Sequence, residues 1–146
     1  MRIAVLNGPN LNLRGVREPA IYGRTTLAEV EARLEEVARE LRVDLRCVQR
    51  NGEGELIDEI HALRGVADGL LLNAGAYSHT SLAIRDALAA VEIPYVEIHV
   101  SNIYAREPER RVSTLAPGAV AVLAGFGAYG YELALRGLVA SLSAGA

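Results

Sequence analysis

RIAVLNGPN, residues 2–10, sets the pattern that the rest of the chain repeats. Arg2–Leu6 is a short apolar run of the kind that forms a buried strand, and it stops at the turn formers Asn7, Gly8, Pro9 and Asn10. Working outward, Thr26 and Glu29 form a capping-box pattern ahead of Leu27, Val30, Leu34, Val37, Ala38 and Leu41 at helical spacing. Glu29/Arg33 and Glu35/Arg39 are expected to pair on that helix's outer face. Val43–Gln49 alternates as a strand, and residues 54–63 place Leu56, Ile60 and Leu63 in helical register. Val66–Leu72 is a third strand, ended by Asn73-Ala74-Gly75, and a helix follows from about Ser78–Ser81 to Val91. Ile93–Ile98 and Gly118–Ala124 are the remaining strands, and a last helix carries Tyr131, Leu135, Leu138 and Leu142 inward with a Glu132/Arg136 pair outside. Five strands alternating with helices predict an α/β fold, a doubly wound five-stranded parallel sheet with helices on both faces. In such sheets ligands bind beyond the carboxyl ends of the strands. Three loops lie there, 7–24, 73–81 and 99–113, and they hold nearly all the unusual polar residues.

Composition removes several classes of function. With 146 residues the chain is expected to be a single domain spanning 1–146. Fifteen basic against 18 acidic residues give a net charge of −3, which argues against nucleic-acid binding through a basic face. Cys47 is the only cysteine, so neither an internal disulfide nor a thiolate metal cluster can form. Residues 112–131 carry no charge, but Pro117 and the glycines at 118, 125, 127 and 130 argue against a membrane helix. The amino-terminal apolar run is too short for a secretory signal, so a cytoplasmic protein is expected. The aromatic set is skewed to six Tyr against one Phe and no Trp.

Several motifs carry chemistry. Gly125-Phe126-Gly127-Ala128-Tyr129-Gly130 has the G-x-G-x-x-G form of a dinucleotide site, but the strand and acidic residue that such a site needs do not follow it. It reads instead as a tight strand-to-helix turn. Glu97 and His99 are two apart at a strand end and so face the same way. A carboxylate there can hold one imidazole nitrogen and leave the other for acid–base work. His79 starts a helix near the same cleft, whereas His61 sits inside a helix. A metal site built on His79 and His99 with Glu97 or Asp86 stays open, although no ligand spacing requires it. Arg17 precedes Tyr22 by five residues in the first loop. A phenol acts as a base near neutrality only if its pKa falls from about 10 towards 7, worth about 4 kcal/mol. One guanidinium about 4 Å away supplies roughly that at a surface-like dielectric. Arg106, Arg110 and Arg111, beside Ser101 and Asn102, suit a polyhydroxylated carboxylate.

The ordered series NGPNLNL (7–13), REPAIYG (17–23), NGEGELID (51–58), NAGAYSHTSLAIRDAL (73–88), PYVEIHVSN (94–102), AREPER (105–110) and GFGAYGYELALR (125–136) resembles the type II 3-dehydroquinate dehydratases over almost the whole chain. The resemblance implies a flavodoxin-like sheet and a lyase of the shikimate pathway. That enzyme converts 3-dehydroquinate to 3-dehydroshikimate by anti elimination through an enolate, with no cofactor and no metal. It also implies roles. Tyr22 matches the base, Arg17 the residue favouring its phenolate, and Asn10 the group holding a water against the enolate. His99 matches the general acid and Glu97 its orienting carboxylate. Asn73, Ser101 and the Val100 backbone match the carboxylate-binding positions. His79, Asp86 and Arg110 match the groups around the ring hydroxyls, with Asp86 expected from a neighbouring subunit. The implied partner is a second copy of the chain, in trimers grouped into a dodecamer. The chain departs from the commoner pattern at Tyr104, Glu109, Arg50 and Gly52, and Glu109 is expected to set a negative charge beside Arg110. A non-catalytic flavodoxin-like binding domain and a metal-dependent hydrolase are the alternatives. Of the six tyrosines only Tyr22 is assigned chemistry, and the others are expected to be packing or surface residues.

Overall fold

A computed structural model describes residues 1–145 of the chain. Its strands are β1 (Arg2–Asn7), β2 (Asp44–Gln49), β3 (Gly69–Asn73), β4 (Tyr95–His99) and β5 (Ala121–Ala124), all parallel in the order β2-β1-β3-β4-β5. The helices are a single turn, α1 (Pro19–Tyr22), then α2 (Leu27–Leu41), α3 (Glu53–Ala62), α4 (Leu82–Val91) and α5 (Tyr129–Ala144). This strand order is that of flavodoxin-like sheets, whose winding direction reverses between β1 and β3.

The sheet is covered on both faces because its central strands carry consecutive apolar residues, Ile3–Leu6 on β1 and Leu70–Leu72 on β3. On β1, Ile3 and Val5 join Leu71, Val96 and Ile98 under α2 and α5, while Ala4 and Leu6 join Leu70, Leu72 and Tyr95 under α3 and α4. Residues adjacent in a strand point to opposite faces, so an uninterrupted apolar run fills two cores at once. Each of these leucines contributes about 1.5–3 kcal/mol by leaving water.

Several boundaries differ from the sequence reading. The third strand starts at Gly69, because Leu63–Ala67 form a turn and leave Val66 exposed, while Asp68 accepts the Arg2 backbone N–H at 2.6 Å. The fifth strand starts at Ala121, since Ala116–Gly118 make a 3₁₀ turn instead. The first loop is not featureless: it contains a 3₁₀ turn at Leu11–Leu13 and the α1 turn started by Pro19. The Thr26/Glu29 capping box forms as expected. Glu29 is consumed by it, and Arg33 reaches instead to Glu36 and, with both Nε and Nη2, to Glu132 on α5. Glu132 also accepts from Arg136, so that expected pair is present but half of it faces α2 rather than solvent. These partners hold the Glu132 carboxyl below its ordinary range, Arg33 foremost.

Two glycines bring the strand ends together. A Cβ on Gly8 would lie 2.6 Å from the Ala74 carbonyl oxygen, so only glycine lets the loops after β1 and β3 touch. Gly125 has φ +98° and Gly127 φ +61°, and their N–H groups donate to the carbonyls of His99 and Val100. The G-x-G-x-x-G segment is therefore a turn that braces the end of β4. Among the described residues no helix is long and apolar enough to cross a membrane.

Candidate active site

A cleft opens at the carboxyl ends of β1, β3 and β4, where the topology reverses. Its lining includes Asn10, Arg17, Tyr22, Asn73, His79, His99, Val100, Ser101 and Arg110, nine of the eleven residues singled out in the sequence. Glu97 lies directly behind His99. Asp86 is exposed on α4 and does not reach the cleft of its own chain.

The side built on β4 is buried and tightly bonded. Glu97 is fully buried and its Oε1 accepts from His99 Nε2 at 2.6 Å and from Ser113 Oγ at 2.5 Å. Ser113 Oγ in turn accepts the backbone N–H groups of Leu115 and Ala116, both at 3.1 Å. His99 is thus fixed through Nε2, and the residue lines the cleft. Serine 113 gave no signal in the sequence, since only the fold brings it to Glu97. His79 donates through Nδ1–H to the Val112 carbonyl, 2.8 Å away, and its ring stacks on that of His99 at 5.9 Å between centroids. Stacked rings do not converge on one point, and no cluster of three or more His, Cys, Asp or Glu side chains suited to a metal occurs among the described residues.

The opposite side is the first loop. The guanidinium carbons of Arg17 and Arg106 lie 5.0 and 5.3 Å from the Tyr22 ring centre, within cation–π range. Arg106 was legible as a loop arginine, but its approach to Tyr22 was not. It also donates to Ser101 Oγ at 3.1 Å, which ties the third loop to the carboxyl end of β4. Arg17 leans on Glu18 at 3.6 Å.

Between the two sides lies a polar floor. Asn73 donates to the Tyr131 hydroxyl at 2.9 Å, and Tyr131 donates to Asn7 Oδ1 at 2.6 Å. Burial pushes the Tyr131 phenol up to about 12, so it stays a neutral donor. Tyr131 is therefore more than the packing residue expected: its ring fills the core while its hydroxyl orients a cleft asparagine. Tyr95 likewise bonds the Leu115 carbonyl and Tyr77 the Asn51 carbonyl. Asn10 sits at φ +68°, held by its N–H to Asn51 Oδ1 at 3.1 Å, a second residue the sequence reading passed over. Arg110 pairs at 2.5 Å with Glu107, because the 3₁₀ turn Pro108–Arg110 sets Glu107 beside it.

Comparison with known proteins identifies the family. A model of the Dehydroquinase class II family matches residues 1–139. The chain belongs to the class II dehydroquinases. It is 61% identical over 142 residues to the 3-dehydroquinate dehydratase of Gemmatimonas aurantiaca, covering 97% of this chain and 93% of that one. It is 56% identical over 142 residues to the 3-dehydroquinate dehydratase of Synechococcus sp. strain CC9605, covering 97% of each. Among solved structures, the type II dehydroquinase of Butyrivibrio crossotus superposes with a TM-score of 0.92 at 40% identity, covering 94% of this chain and 97% of that one. The dehydroquinase of Propionibacterium acnes does so at 0.91 and 42%, covering 95% and 96%.

Proposed function

We propose that this dehydroquinase removes water from 3-dehydroquinate through an enolate, as a shikimate-pathway hydro-lyase. The observation that carries the reading is the Glu97–His99 pair facing the arginine-flanked Tyr22 across one cleft. Tyr22, as its phenolate, takes a proton from the carbon alpha to the ketone, and the C–H electron pair moves into the enolate. Arg17 and Arg106 offset the charge on that phenolate. Asn10 holds a water against the enolate oxygen, where a fixed donor is worth most. The enolate then re-forms the ketone, the bond to the tertiary hydroxyl breaks, and His99 gives that oxygen a proton so that it leaves as water. Glu97 keeps the imidazole aimed. One C–H and one C–O bond are lost and one C=C bond is gained, with no change of oxidation state overall. The chemistry needs neither metal nor cofactor.

Asn73, Ser101 and the Val100 backbone are placed to receive the substrate carboxylate, and His79 and Arg110 the ring hydroxyls. Asp86 supplies its contact from a neighbouring copy. Its exposure on α4, away from its own cleft, leaves it free to make that contact, in an assembly of trimers grouped into a dodecamer. Residues 1–146 act as one catalytic domain, and a cytoplasmic location suits a small polar substrate. The test is the rise of enone absorbance when purified protein meets 3-dehydroquinate with a strong chelator present. Chelator-insensitive product is expected, and no product overturns the reading.

A further inference from the structure

We propose that Arg14 is a further ligand-binding residue of this cleft, taking the carboxylate of the bound ligand; this rests on the function proposed above. The cleft lining holds four arginines, at 14, 17, 106 and 110, and no Asp or Glu. Three of the four have carboxylate partners in the protein: Arg17 on Glu18, and Arg106 and Arg110 on Glu107. Arg14 has none among the described residues. It is 4% exposed, and neither Nε nor Nη1 finds a hydrogen-bond partner. The 3₁₀ turn Leu11–Leu13 produces this placement, since the Arg14 N–H closes it on the Leu11 carbonyl and the side chain is carried inward.

A guanidinium cannot escape its charge by losing a proton in any ordinary range. Burial works against that charge here and lowers the Arg14 pKa. An unpaired buried cation is costly unless something completes it. Tyr131 does not: its phenol is neutral, with its proton held on Asn7, and so offers no charge to offset the guanidinium. Arg14 lines the same cleft as Asn73, Val100 and Ser101, the residues assigned to the carboxylate. A permanent anion of the ligand is the group that matches a permanent, unpaired cation. The enolate, present only in passing, would leave Arg14 uncompensated through most of the cycle.

Replacing Arg14 by Leu separates the possibilities. In full-length R14L the KM for 3-dehydroquinate should rise about 30-fold or more, the lower end for truncating one partner of a buried charge pair. Its kcat should stay within about threefold. Cyclohex-1-enecarboxylate, which has the ring and the charge but no reacting groups, should raise the melting temperature of the wild type and not of R14L. Its methyl ester should treat the two proteins alike. R14K should recover part of the affinity, as a point charge without the planar fork. Without ligand R14L should melt no lower than wild type, and R14M serves if R14L fails to fold. Unchanged KM, or a fall in kcat at fixed KM, overturns the assignment to the carboxylate. Turnover with carboxylate binding indifferent to Arg14 defeats only this assignment. Arg14-dependent carboxylate binding without turnover of 3-dehydroquinate defeats the proposed reaction and keeps the site.

Discussion

The two sides of the cleft are built by different means. On one, Glu97 and His99 project from a strand with every residue buried, and their geometry is closed by hydrogen bonds of 2.5–2.6 Å to each other and to Ser113. On the other, Tyr22 ends a single helical turn on a loop, half-buried, and is touched by two guanidinium groups over its ring. The side carrying Glu97 and His99 is fixed by the fold before any ligand arrives. The side carrying Tyr22 rests on contacts that are non-directional and partly solvent-screened. A site assembled this way keeps a rigid post and a jaw that can admit the ligand and close on it.

The sharpest way to break the comparison is to remove the group proposed as the base. Tyr22→Phe keeps the ring between Arg17 and Arg106 but deletes the oxygen, and should lower kcat by about 10²–10⁴-fold, the usual worth of a positioned acid–base group. Exchange of the alpha proton of 3-dehydroquinate with solvent, followed by NMR, should vanish in step. Normal exchange would mean that the base is another group and that the two sides have been assigned wrongly.

On the post, the expected effect is smaller, because His99 itself remains. Glu97→Gln and Ser113→Ala each loosen the imidazole without removing it. We expect kcat to fall roughly 10–100-fold for Glu97→Gln, the range seen when an orienting partner is lost, and less for Ser113→Ala. A change confined to KM in both variants would show that the pair holds the ligand rather than the proton. Ser113→Thr, which keeps the hydroxyl, should restore most of the Ser113→Ala loss.

The floor joining the two sides should be stable towards acid and weak towards alkali. Tyr131 has its phenol pushed up to about 12 from 10.0 by burial. A raised folded-state value means that its contribution is complete below about pH 10, where the unfolded phenol is still neutral, and is lost as pH rises from there to about 12. Two units correspond to about 2–3 kcal/mol. Urea midpoints measured from pH 8 to 12 should therefore fall across that window, and Tyr131→Phe should flatten the part of the fall that this hydroxyl causes.

How much of this could be read in the chain follows the same division. Strand-based features were legible because they depend on local spacing. The i, i+2 placement of Glu97 and His99 needs only an extended backbone, and the apolar runs at 2–6 and 70–72 need only two covered faces. Features that depend on where separate loops meet were not. Ser113 lies 16 residues from Glu97, Asn51 lies 41 from Asn10, and Tyr131 lies 124 from Asn7, and no periodicity links such pairs. Arg14 was missed for a related reason: in a polar loop an arginine reads as solvated surface, and only the inward turn at Leu11–Leu13 buries it. The Arg33 misassignment shows a local rule losing to tertiary structure, since the i−4 partner Glu29 was already taken by the helix cap.

The smallest expected effect tests whether the jaw depends on its anchorage. Thr26 closes the capping box of α2 and thereby fixes the point at which the first loop rejoins the fold. Its Cγ2 also lies 3.1 Å from the position a Cβ would take on Gly15, so the loop folds back against it. Thr26→Ala removes one cap and should cost about 1 kcal/mol of stability, which lowers the melting temperature by about 3 °C for a chain of this size. If the jaw is positioned by the arginine contacts at Tyr22 alone, kcat and KM will be unchanged in this variant while the cap loss appears in full. If the anchorage matters, KM will rise with the same substitution, because closing the loop on the ligand must then also restore its lost attachment. Thr26→Ser, which keeps the accepting oxygen but removes the methyl, separates the two contributions: it should recover the melting temperature whichever outcome holds, and should leave KM raised only if the methyl packing against the loop is what positions Tyr22.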